Sequence, residues 1–163
     1  MKRYQESVYA ARWMRLLVAL SALATIGATV PVVFGDDGSK WFVVASLILT
    51  GAILGLVEFT FMRLRIDVTR DQMRFHFGPF GPTLKLSDVR SAEPSPYRWL
   101  AFGGWGIRFG RVSGRTVRAY SVPFIRTGVA IETAGGTRYY TSSQRPEALA
   151  AAILEGRTQE GPA

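Results

Sequence analysis

One histidine and a thin scatter of carboxylates are all the chain offers for acid–base chemistry. His76 alternates with Phe75 and Phe77 and is expected to face outward beside Arg74. A lone imidazole there has no second ligand nearby in sequence with which to share a metal. Asp67, Asp71, Asp88, Glu93 and Glu132 fall on separate predicted strands and turns without motif spacing, which argues against a general acid–base pair. Gly103-Gly104-Trp105-Gly106 has the glycines of a phosphate cradle. It lacks the Lys-Ser/Thr that completes a P-loop and does not lead into a helix. A tight turn in which Trp105 covers a sheet edge is the better reading. Cysteine is absent, which removes disulfides and thiolate metal sites. The expectation is therefore a protein that is not an enzyme and has no cofactor and no catalytic or metal-binding residues.

The residue type that does cluster is arginine. Arg98, Arg108, Arg111, Arg115 and Arg118 interleave with Tyr97, Trp99 and Trp105. This is the candidate surface for an anionic lipid or a protein partner. The net charge is +8, and residues 63–163 carry 15 Arg or Lys against 8 Asp or Glu. Most of that surplus reads as a solvated face plus a charge bias toward one side of a membrane; nucleic acid is disfavoured as a partner. The 17 Arg against 3 Lys, with no Asn, suggest a GC-rich coding bias and a bacterial source.

Two apolar runs precede this region, residues 16–34 and 41–61, separated by Gly35-Asp36-Asp37-Gly38-Ser39-Lys40. Each is long enough to predict a spanning helix, and the short Gly/Asp/Ser link predicts a helical hairpin. Lys2, Arg3, Arg12 and Arg15 before it, and Arg63, Arg65, Arg70 and Arg74 after it, predict that both termini face the cytoplasm. The expected location is the cytoplasmic (inner) membrane, with two spans. Gly51 and Gly55 form a GxxxG expected to pack the hairpin or a homo-oligomer seam. Glu58 is the one acid in the spans, a candidate intramembrane carboxylate. The organisation predicted is a basic leader at 1–15, the transmembrane hairpin at 16–62, a cytoplasmic domain at 63–156 and a flexible tail at 157–163.

From Leu64 onward the hydrophobic period changes to two. Leu64, Ile66 and Val68, then Met73, Phe75 and Phe77, alternate with polar residues about an Arg70-Asp71 turn. Further strands are predicted at 83–86, 88–96, 106–111, 116–122, 128–133 and 137–141, with Pro146 opening a C-terminal helix faced by Leu149, Ala152 and Ile153. The stretches Met73-Arg-Phe-His-Phe-Gly-Pro-Phe-Gly81, Leu86-Ser-Asp-Val-Arg-Ser-Ala-Glu93, Phe102-Gly-Gly-Trp-Gly-Ile-Arg108 and Arg145-Pro-Glu-Ala-Leu149 resemble the bacterial pleckstrin-homology-like family. Its members include small membrane-anchored proteins. The resemblance implies an α+β chain in which the helical hairpin precedes an antiparallel split β-barrel of about seven strands, capped by the C-terminal helix. It implies a binding or assembly module at the cytoplasmic membrane face. Membrane lipids, another membrane or cytoplasmic protein, or a second copy would be its partners. Specific anionic-lipid binding by the Arg-rich face is the first alternative, and a transport accessory or membrane enzyme using Glu58 is the second.

Overall fold

The computed structural model describes residues 3–28, 40–112 and 114–159, the side chains of 40, 57–61 and 159 excepted. The elements run β1 Tyr4–Tyr9, α1 Arg12–Gly27, α2 Lys40–Phe61, β2 Arg63–Val68, β3 Gln72–Phe77, β4 Thr83–Lys85 and a 3-10 turn Leu86–Asp88. They continue as β5 Val89–Pro96, α3 Trp99–Phe102, β6 Gly106–Val112, β7 Arg115–Ser121, β8 Thr127–Thr133, β9 Arg138–Ser142 and α4 Pro146–Gln159. The chain divides into two compact units, Ala11–Met62 and Met1–Ala10 together with Arg63–Ala163.

In the larger unit the alternating pattern forms strands close to where it predicts them, but their assembly differs from the expected barrel. Four strands pair in the order β1-β2-β3-β4, and five in the order β5-β8-β9-β7-β6; neither sheet closes. The segment read as a leader supplies β1, which pairs with β2 from Tyr4↔Val68 to Tyr9↔Arg63. Strand β9 pairs antiparallel with β8 and parallel with β7, so the second sheet is not a meander. A period of two reports that a segment is a strand; it says nothing of which neighbour the strand takes. Pro123 ends the ladder: β7 stops at Ser121, and a turn closed by Ile125 N–H to the Val122 carbonyl (3.2 Å) leads into β8. Pro lacks the donor that a central ladder needs.

Leu64, Ile66, Val68, Met73, Phe75 and Phe77 of the first sheet are fully buried. The ring of Phe75 meets Tyr120 edge-on at 4.9 Å and Tyr139 at 5.8 Å, joining the inner faces of the two sheets. Leu149 and Ile153 of α4 are also fully buried, and α4 packs on β5, β8 and the 3-10 turn. A buried carboxylate ties β1 to the start of α4. Glu6 accepts hydrogen bonds from the Tyr4 hydroxyl at 2.7 Å, the Ser143 hydroxyl at 2.6 Å and the Gln144 N–H at 2.9 Å. Ser143 Oγ in turn accepts the Arg145 N–H at 3.0 Å, giving the helix a cap that Arg145 itself cannot supply.

In the other unit α1 and α2 pack together. The two-span reading is corrected here: among the described residues no helix is long and apolar enough to cross a membrane. Helix α1 stops at Gly27, where the sequence count runs on to Phe34. Its stretch 16–27 rises only about 18 Å, against about 30 Å of hydrocarbon. The multi-pass inner-membrane location, and the orientation drawn from it, fall with the spans. The connector and the rest of the first run, 29–39, lie outside the described residues, as does the side chain of Glu58. Within the unit a Cβ on Gly51 would touch Ile26 of α1 at 3.8 Å, whereas one on Gly55 would meet nothing within 4 Å. The GxxxG therefore lends only its first glycine to the α1–α2 contact. The hydroxyls of Ser21, Thr25, Ser46 and Thr50 donate to carbonyls one turn back, each at 2.8 Å, which satisfies them within their own helices.

Glu6→Ala should cost about 3 kcal/mol in urea unfolding, because three donors around a buried acceptor lose it together. A second outcome concerns alkaline pH. Burial, followed by the hydrogen bond to Glu6, pushes the Tyr4 phenol up to about 12. The fold favours the neutral phenol, so this contribution is complete below the unfolded value of about 10 and is lost as pH rises through about 12. Tyr4→Phe should flatten the fall in stability between those pH values.

Candidate anion-binding cleft

Because β7 and β9 run parallel, with Val117 opposite Arg138, both strands begin at the same end of the second sheet. The β8–β9 turn reaches that end too. It is held by Thr133 N–H to the Thr137 carbonyl at 2.9 Å, Gly136 N–H to Thr133 at 2.9 Å and Ala134 N–H to Asp88 at 2.7 Å. Between the start of β7 and this turn lies a cleft of about 410 Å³, lined by Arg115, Thr116, Arg118, Gly135, Gly136, Thr137 and Arg138. Three arginines thus border a turn that has no side chains at Gly135 and Gly136, Arg115 and Arg138 from one face of the sheet and, by alternation, Arg118 from the other. One carboxylate compensates them: Glu132 accepts from Arg138 at 2.8 Å and from Arg115 at 3.4 Å. Three positive charges against one negative leave a local surplus of two.

The two ion pairs differ in worth. Arg138 is 27% exposed and its bond to Glu132 is short, whereas Arg115 is 63% exposed and its contact is long. An exposed pair of that kind contributes about 0–1 kcal/mol, so Arg115 can exchange Glu132 for a ligand at little cost. Arg118 lies over the Phe109 ring at 5.4 Å, which orients its guanidinium without a carboxylate. Planar guanidinium forks match the oxygens of phosphate or carboxylate, and the Thr116 and Thr137 hydroxyls add donors.

The remaining sequence candidates are dispersed. Strand register places Arg108 opposite Ala119 and Arg111 opposite Thr116, so alternation sends Arg108 and Arg111 to opposite faces of β6. Arg108 donates from Nε to the Trp105 carbonyl at 3.0 Å and braces the loop Gly103–Gly106. That loop serves itself: Gly104 N–H donates to the Trp99 carbonyl at 3.1 Å, and the Gly104 carbonyl accepts the Tyr97 hydroxyl at 2.6 Å. Trp99 stacks on Trp105 at 5.9 Å, and Trp105 meets Phe124 at 5.0 Å, a partly exposed aromatic row. Phe124 has a positive φ of 64°, a backbone state rare for a bulky residue. Arg98 is exposed and lines a separate cavity on the outer face of the second sheet. His76 is fixed locally, with Nδ1 2.7 Å from the Gly78 carbonyl and Nε2 3.9 Å from Asp67. Among the described residues no group of three His, Cys, Asp or Glu is placed to hold a metal.

Sequence reasoning missed Arg138 and the bridging role of Glu132. Both flank the predicted Ala134-Gly135-Gly136 turn at positions that pair across the hairpin, and opposite charges at such positions are a readable signal. The outer-face cavity was not legible. Tyr97 stacks on Phe102 at 5.1 Å and lies 5.0 Å from Tyr140, and burial raises both phenols above their ordinary value. Two glycines make room for this cluster. A Cβ on Gly128 would press on Tyr140 Cζ at 2.7 Å, and one on Gly110 would collide with the Phe102 ring and come within 2.8 Å of the Ala101 carbonyl.

No family model, curated protein or solved structure matches the chain.

Gly110→Ala should destabilise the protein by about 1–3 kcal/mol, since the added methyl forces α3 off the strand. Tryptophan fluorescence checks it: displacement of α3 opens the Trp99–Trp105 stack and shifts the emission, whereas Gly135→Ala, which meets nothing within 4 Å, should leave it unchanged.

Proposed function

We propose that this chain is a binding module, not an enzyme, and that it takes a phosphate-bearing anion in the cleft at the start of β7 and β9. One observation carries the reading: Arg115, Arg118 and Arg138 line one cleft beside the Gly135-Gly136 turn, and among its described ion pairs Glu132 is the carboxylate that offsets them. Three guanidinium forks around an open turn suit an oxyanion with several oxygens. The phosphate can belong to a soluble compound or to a lipid headgroup, because the chemistry offered to each is the same.

Binding of pyrophosphate to the full chain, followed by calorimetry, and cosedimentation with phosphatidylglycerol or phosphatidylcholine vesicles separate the sources. Pyrophosphate binding without preference for anionic vesicles identifies a soluble ligand; preference for phosphatidylglycerol without pyrophosphate binding identifies a headgroup. In either case Arg115→Gln with Arg118→Gln should weaken binding at least tenfold, since a hydrogen bond to a charged group is worth about 1.5–3 kcal/mol. Binding should also fall with added salt. Absence of both activities, or equal affinity in the double variant, overturns the proposal.

A further inference from the structure

The outer face of the second sheet carries a second recess that the anion cleft does not use. It encloses about 530 Å³ and is walled by residues of β5, β8 and β9, the α3 turn and the facing ends of β6 and β7. That is within the volume range of small-molecule sites. Its lining mixes apolar and polar side chains. Phe102, Val112 and Val117 supply the apolar part, backed by Tyr97, which stacks on Phe102, and by Tyr140, whose ring is tilted against both. Ser91, Glu93, Ser95, Arg98, Glu132 and Arg138 supply the polar part, with Arg138 directly opposite Val117.

Arg138 has an unmet demand there. Its Nη2 is committed to Glu132 at 2.8 Å, while its Nε is buried and has no hydrogen-bond partner. Buried donors are nearly always paired, and an orphan calls for an explanation. The side chain as a whole is 27% exposed and lines the recess; meeting an acceptor there requires the guanidinium to turn about its bond to Glu132. The charges in the wall decide what kind of acceptor suits it. Arg98 and Arg138 are matched by Glu93 and Glu132, two against two. A net-charged ligand gains at one pair what it loses at the other, whereas an uncharged carbonyl satisfies the donor without that conflict.

We propose that this recess binds a small uncharged molecule with a flat apolar body and a terminal carbonyl, such as an amide, its body against Phe102, Val112 and Val117 and its oxygen on Arg138 Nε–H. The site differs from the anion cleft in ligand charge and shares with it Arg138 and that residue's partner Glu132.

The test uses the full chain labelled with 15N-arginine and follows the Arg138 Nε–H resonance, identified by its loss in Arg138→Lys. The probes are 3-phenylpropanamide and its acid, 3-phenylpropanoate. The amide should shift the resonance saturably and bind at least threefold more tightly than the acid. Val117→Phe should weaken it at least tenfold by filling the apolar part. Val112→Phe, at the half-buried end of the edge strand, does the same where the first variant fails to fold. A shift that does not saturate, equal or tighter binding of the acid, or undiminished binding in the folded filling variant overturns the site.

Discussion

Strand β9 runs antiparallel to β8 and parallel to β7, with ladders on both sides from Val117↔Arg138 and Gly128↔Ser142 onward. A central strand held that way cannot slip by one residue without exchanging its buried and exposed faces. Tyr139 and Thr141 are thereby committed to the inner face, and Arg138 and Tyr140 to the outer one. The parallel partner brings two strand starts and a hairpin turn to the same end of the sheet. Both recesses follow from that placement. The anion cleft lies at the shared end, and the enclosed recess lies beside it on the outer face. Arg138 borders both because it is the first residue of β9.

Around this strand the packing is permissive only where side chains are missing. Tyr140 lies across β8 because Gly128 has no Cβ, and its hydroxyl donates to the Ser95 carbonyl at 3.3 Å. Phe102 lies on β6 because Gly110 has none. Close-packed rings leave little slack, so these two glycines set the position of α3 and hence the roof of the outer recess. Electrostatics act more softly. Glu132 holds Arg138 firmly and Arg115 loosely, so one guanidinium is built into the wall and the other is free to be recruited.

The helical unit shows how a composition argument can overreach. Summed hydrophobicity over 16–34 and 41–61 exceeds what a single acid costs, and on that basis two spans are expected. The sum assumes that each run is helical from end to end. Helix α1 ends at Gly27, and among the described residues no helix is long and apolar enough to cross a membrane. Leu16, Leu20, Trp41 and Phe42 are exposed in this unit.

The sequence by itself determined the local states. Alternation about Arg70-Asp71 marks β2 and β3, Ala134-Gly135-Gly136 marks the β8–β9 turn, and Pro146 marks the start of α4, because these signals depend only on neighbours along the chain. The clustering of arginine along the sequence was legible for the same reason, and Arg115 and Arg118 both line the cleft. Only the tertiary structure decided which strands pair, that neither sheet closes, that Arg108 braces a loop while Arg111 faces the other way, and that Arg138 joins from a distant strand. Those outcomes depend on contacts between residues far apart in sequence. A period of two carries no record of strand order, and charge composition carries no record of which arginines line one cleft.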